Sequence, residues 1–171
     1  MECEACGSHN VSRRRIEGNL VEECNLCGHL SGDDAAVAEI EELRDGRERG
    51  LDDHIIPLVT SLEKSDVFQV LQATGGSEDR GTFPQVLFRM PSNDARNLER
   101  LVRSVELAGR GMATHWIVEL SLQSSLVYIL RPRFWKPAKD VARSEIVQAQ
   151  EDAALLAKKI RRDIRLSWWN T

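Results

Sequence analysis

Two cysteine pairs near the N-terminus, Cys3-Glu4-Ala5-Cys6 and Cys24-Asn25-Leu26-Cys27, constrain this chain more than any other feature. All four of its cysteines lie there, and seventeen residues separate the pairs. Two residues between cysteines let the backbone curl so that both sulfurs reach one ion. The intervening stretch is long enough for a short hairpin that brings the second pair opposite the first. Four thiolates then close a tetrahedral site, the arrangement of structural zinc. Gly7 and Gly28 follow the second cysteine of each pair, where positive φ lets backbone amides turn toward the sulfurs. The expected cofactor is one structural zinc per chain, held by Cys3, Cys6, Cys24 and Cys27.

The text C-E-A-C-G-S, followed by C-N-L-C-G-H-L with Gly18-Asn19 between as a hairpin turn, resembles the zinc-ribbon family. The resemblance covers about residues 1–32. It implies a small metal-stapled module, and ribbons of this style serve in transcription factors, polymerase subunits, ribosomal proteins and transposases or as plain structural caps. The proline common inside such knuckles is missing here. A disulfide pairing is disfavoured, because doubled CxxC spacing in a chain of cytosolic character favours metal. An iron site of rubredoxin type would use the same ligands. Its pairs usually lie further apart among aromatics, and residues 1–32 contain none. With four thiolates present, His9 and His29 read as solvated or outside the ligand set.

A length of 171 residues suits one domain plus a small module, and 42% hydrophobic with 29% charged residues is ordinary for a globular chain. No segment has the roughly 18 consecutive apolar residues of a membrane helix. The start, Met1-Glu2-Cys3-Glu4, has neither a basic nor an apolar stretch, which predicts no secretion leader and a cytoplasmic protein with no membrane contact. Net charge is −4 but uneven: −2 over residues 1–32, −7 over 33–130 and +5 over 131–171. An acidic chain is a poor prior for a dedicated nucleic-acid binder, although a basic tail keeps that option open and equally suits an acidic partner.

Four segments are expected: a zinc ribbon at 1–32, a linker with a short helix at 33–52, an α/β sandwich domain at 53–134, and a basic amphipathic helix at 135–171. Helices are predicted at 34–45, 53–64 and 93–108. Val37, Ile40 and Leu43 form the first apolar face, and Ile55, Leu58, Val59 and Leu62 the second. Pro57 then falls in a first turn, where a missing amide is tolerated. Strands are predicted at 67–73, 84–90, 115–122 and 125–131, from β-branched and aromatic residues in alternation. The fold class is therefore α+β. A ribbon precedes an α-β-β-α-β-β domain, a four-stranded antiparallel sheet with helices on one face, and a long helix over 140–166 closes the chain. Residues 74–83, glycine-rich and acidic, read as a long hairpin loop.

Catalytic signals are thin. No cysteine remains for nucleophilic work, no Ser-His-Asp pattern is visible, and His115 and Glu119 lie too far apart along one strand to touch. The candidates for nucleic-acid contact are Arg13, Arg14 and Arg15 between the knuckles, with Arg133 and Lys136 in a basic and aromatic run that also holds Phe134 and Trp135. A solvated strand with cross-strand ion pairs accounts for the first group, and simple packing of Phe134 and Trp135 for the second. The last helix carries Ile146, Ala149, Ala153, Leu156, Ile160 and Ile164 on one side, with Lys158, Lys159, Arg161, Arg162 and Arg165 clustered near its end. About 27 residues of helix reach roughly 40 Å. Part of it should then project and offer Ile160, Ile164, Trp168 and Trp169 to a protein partner or a second copy. The function expected is a non-enzymatic zinc-ribbon adaptor or regulatory module that docks on a macromolecular complex through protein contacts. The alternatives are a nucleic-acid-binding, transcription-related protein and an enzyme with a site beside residues 74–83.

Overall fold

The computed structural model describes residues 2–90, 95–122, 126–134 and 140–165. It divides into two compact units, Met1–Glu48 and Arg49–Thr171.

In the first unit, β1 (Val11–Ile16) and β2 (Asn19–Cys24) form a hairpin, and β3 (Leu30–Ser31) adds to β2. Ile16 pairs with Asn19, so the two-residue turn is Glu17-Gly18 rather than Gly18-Asn19. Both turn residues have positive φ, 49° and 82°, the geometry whose twist matches a right-handed hairpin. The helix α1 (Asp34–Glu48) starts where the Asp33 carboxylate accepts the Ala36 amide at 3.0 Å. It runs three residues beyond the expected 45, held by Arg44 on Glu23 at 2.9 Å and Arg47 on Glu17 at 2.7 Å. Its Ile40 meets Val21 and Leu30, and these three are the buried apolar core of the unit.

The second unit has α2 (Ile56–Glu63), β4 (Gln69–Ser77), β5 (Thr82–Arg89), α3 (Ala95–Ala108), a short 3-10 turn, β6 (Trp116–Leu122), β7 (Leu126–Pro132) and α4 (Arg143–Arg165). The four strands form one antiparallel sheet in the order β4-β5-β7-β6. Register puts Val86, Phe88, Tyr128, Leu130, Trp116 and Val118 on one face. The three helices cover that face, with Ile55, Leu58, Leu62, Leu101, Val105, Leu156 and Ile160 in the same core. The predicted α+β class and helix-covered antiparallel sheet are what the structure shows.

Three further expectations are corrected. The loop at 74–83 shrinks to Glu78–Gly81, because β4 runs through Ser77 and β5 begins at Thr82. Gly75 and Gly76 are strand residues: Gly75 is set by a close approach, and Gly76 by a close approach together with a φ of 77°. The Asp52 carboxylate accepts the Gly75 amide at 2.7 Å, and a Cβ on Gly75 would lie 2.6 Å from Asp52 Cβ. Helix α2 begins at Ile56, not 53, because residues 53–55 form a turn with the Ile55 amide on the Asp52 carbonyl.

The third correction concerns α4. Its apolar side does not await a partner: Ile146, Ala149, Ala153, Leu156, Ala157 and Ile160 are buried. Polar side chains bolt it down at four places. Gln150 donates to the Gly75 carbonyl at 2.9 Å, and Asp152 accepts from Thr114 N and Oγ1 at 2.6 Å each. Arg161 donates to Ser61 Oγ at 2.8 Å, and Asp163 accepts from Ser104 Oγ at 2.6 Å. Helix α4 is thus the spine of the unit. Ile160 is an interior residue rather than a partner contact. The side chain of Ile164, and Trp168 and Trp169, lie outside the described residues. The Ile160→Ala variant is expected to lose about 2–5 kcal/mol in urea unfolding with no change in mass by light scattering. A variant as stable as the native chain would return Ile160 to the surface.

Candidate metal centre

The two knuckles are built alike. The Gly7 amide donates to the Cys3 carbonyl and the Gly28 amide to the Cys24 carbonyl, each at 2.8 Å. The Cys3 amide donates to the Ser8 carbonyl and the Cys24 amide to the His29 carbonyl, each at 2.9 Å. Gly7 and Gly28 sit at φ 71° and 74°, the left-handed region that this turn requires. The sequence C-x-x-C-G therefore writes the same loop twice, and the β1–β2 hairpin sets the second copy against the first.

All four sulfurs lie within 4.8 Å of one another. Cys3 Sγ is 3.7 Å from Cys27 Sγ, and Cys6 Sγ is 3.6 Å from Cys24 Sγ. Metal–sulfur bonds of about 2.3 Å in a tetrahedron put sulfurs roughly 3.8 Å apart. Sulfurs joined in a disulfide would be about 2.05 Å apart, and all four cysteines are free. The cluster can hold one metal ion, and four sulfurs leave such an ion no open position. Cys3 and Cys24 are buried while Cys6 and Cys27 face solvent. His9 and His29 supply no ring nitrogen to this cluster.

The thiols titrate as a set. The backbone amides of Cys27 and Leu26 hold the Cys24 thiol down to about 6, helped by the sulfurs of Cys6 and Cys27. At Cys6 the Ser8 amide lowers the pKa. The Cys27 sulfur, burial and the sulfurs of Cys24 and Cys3 outweigh it and lift the group to about 12. Cys27 is raised as well: the His29 amide and Cys6 pull it down, and burial with Cys24 and Cys3 pushes it up. Four negative sulfurs at this spacing repel one another unless a cation sits among them. A bound cation displaces the remaining protons.

Arg13 and Arg14 have ion-pair partners within the first unit. Arg13 meets its cross-strand neighbour Glu22 at 3.1 Å. Arg14 meets Glu23 at 3.4 Å and Asn25 Oδ1 at 2.8 Å. Arg15 is exposed, opposite Leu20. In the second unit Arg133 is exposed and Phe134 stacks on Phe83 at 4.2 Å, while Trp135 and Lys136 lie outside the described residues. His115 is exposed, and Glu119 pairs with Arg131 at 2.7 Å. Near the β4–β5 turn an open depression of about 790 Å³ is lined by amide, hydroxyl and charged groups, among them Gln72, Thr74, Gln85 and Arg131. What the sequence reading missed is a run of arginines on α3: Arg96, Arg100 and Arg103 line a groove against α4. Their i, i+4, i+7 spacing was the available signal.

Comparison with protein-family models, curated proteins and solved structures returns no match.

The Cys24→Ser variant is expected to lose its metal and the hydrogen-exchange protection of β2 and α1. Unfolding of the Arg49–Thr171 unit should stay within about 0.5 kcal/mol of native. Gly28→Ala has open space for its Cβ but the wrong φ. It should cost roughly 1–2 kcal/mol and keep the metal. Hydrogen exchange read by mass spectrometry, with elemental analysis, checks both.

Proposed function

We propose that this protein is a zinc-stapled adaptor whose N-terminal unit, a ribbon-type module, docks on a basic surface of a protein partner. The observation that carries this reading is a closed four-sulfur cluster within a strongly acidic unit. Residues 1–48 hold five basic and twelve acidic side chains, a net charge of −7. Four thiolates around one divalent zinc add two further negative charges. Such a surface repels phosphate and attracts cationic protein. Closed coordination leaves the zinc no site for substrate, so its role is structural.

Two apolar side chains add to the charge argument. Leu26, inside the second knuckle, is 73% exposed, and Leu20 on β2 is 57% exposed. A leucine held in the open by a rigid turn offers contact area with little ordering cost on binding. Arg13 and Arg14, already engaged by Glu22 and Glu23, weaken the nucleic-acid reading of the ribbon. At the other end of the chain, Trp168 and Trp169 stay in this proposal as contacts for the same assembly.

Affinity capture from native cytosol, using the full chain, tests the reading. A protein partner with a basic surface should be retained at low salt and released as salt rises. Leu26→Asp should weaken that partner at least tenfold, about 1.4 kcal/mol, and Cys24→Ser should lose it. Equal retention by the native chain and both variants would contradict docking through this unit.

A further inference from the structure

We infer that the free edge of β6 pairs with β6 of a second copy of this chain, antiparallel about a two-fold axis at Leu120. This goes beyond the adaptor reading and uses none of its residues. The order β4-β5-β7-β6 leaves β4 and β6 at the edges of the sheet. A bare edge is a row of unpaired amides and carbonyls, and chains normally blunt it. On β4 this chain does so twice. The register slips between Val70 and Gln72, an irregularity that disrupts the ladder and bends the strand. At Gly75 the amide donates to Asp52 Oδ2 at 2.7 Å and the carbonyl accepts from Gln150 Nε2 at 2.9 Å, so side chains cap both backbone groups.

Strand β6 has neither device. Its seven residues, Trp116–Leu122, pair with β7 in unbroken register and include no proline or lysine. Its one charged side chain, Glu119, is taken up by Arg131 at 2.7 Å. The Arg133 amide donates to the His115 carbonyl at 2.6 Å, so the His115 backbone faces β7. Hydrogen-bonding groups alternate along an antiparallel strand. Ile117 and Glu119 therefore also face β7, while Trp116, Val118 and Leu120 turn their amides and carbonyls outward. No hydrogen bond reaches those outward groups among the described residues. The strand also leaves an apolar side chain in the open. Leu120 shares the helix-covered face with Trp116 and Val118, yet it is 55% exposed. Leu126, on the same face at the same end, is exposed as well.

What completes a row of outward amides and carbonyls is another extended strand. A second copy offers one of equal length and the same pattern, and a two-fold axis makes the contact self-complementary. Charge and exposure choose the axis. An axis at Glu119 would set two carboxylates opposite each other. An axis at Val118 would set Leu120 against Trp116, which its own fold already buries. An axis at Leu120 sets the exposed leucine against its own copy. It also sets Glu119 opposite the partner's Ser121, whose hydroxyl can donate to the carboxylate. Seven residues of edge are about 23 Å long, a small interface, so the pairing is reversible.

The test is sedimentation of the full-length protein over a concentration series from about 1 µM to about 1 mM, the range of weak association. Mass should rise from monomer to dimer. Leu120→Lys places two ammonium groups on the axis and should weaken the dimer roughly tenfold or more, with the native unfolding midpoint showing that the fold is kept. Leu71→Lys, at an exposed leucine on the blunted β4 edge, should change nothing. Hydrogen exchange read by NMR on the native chain gives the register. The Val118 and Leu120 amides should slow as concentration rises, while those of Ile117 and Glu119, already bonded to β7, should not. A monomer throughout, a dimer indifferent to Leu120→Lys, or a dimer without slowing at Val118 and Leu120 would each overturn the inference. Slowing of those two amides in a monomer only when native cytosol is added would also overturn it, and would give the edge to a strand of another protein.

Discussion

A unit whose buried apolar core is Val21, Leu30 and Ile40 cannot hold its fold by burial alone. Everything in residues 1–48 therefore depends on the four sulfurs that join its two knuckles. Structural zinc supplies roughly 10–16 kcal/mol in peptides of this kind, far more than three side chains can. The hairpin, the short third strand and α1 are arranged around that attachment. The surface ion pairs between α1 and the β1–β2 hairpin, Arg44 with Glu23 and Arg47 with Glu17, are partly exposed and worth a fraction of it.

The second unit solves the same problem differently. Its apolar face is a sheet, and its spine is one long helix. Helix α4 is fixed by apolar burial and also by the buried polar groups Gln150, Asp152 and Asp163, each of which has a partner. Buried polar groups of this sort add little net stability, but their geometry admits one register of helix on sheet. Trp116 Nε1 is the indole donor that this packing leaves buried without a partner among the described residues.

How much was legible in the sequence follows from which forces are local. The cysteine cluster was readable because ligand spacing and the glycine after each pair are properties of a few consecutive residues. Strand alternation at Val86, Phe88, Tyr128 and Leu130 was readable for the same reason. Gly75 and Gly76 misled, because glycine reads as a loop until Asp52, more than twenty residues upstream, is known to press against Gly75, and the paired strand at Thr82 and Pro84 against Gly76. The periodicity of α4 was read correctly, but length alone does not say what covers a helix. Asp152 and Asp163 gave no local signal, because their partners Thr114 and Ser104 come from distant segments. The α3 arginines escaped notice because a charge stripe on a helix is usually plain solvated surface.

The account rests first on metal in the N-terminal cluster. The most direct measurement is X-ray absorption at the zinc edge, with elemental analysis, on full-length protein purified under reducing conditions without added metal. The account predicts one zinc per chain with four sulfur neighbours at about 2.3 Å and no nitrogen or oxygen in the shell. Iron in that shell, nitrogen or oxygen ligands replacing sulfur, or a folded N-terminal unit with no metal at all would contradict it.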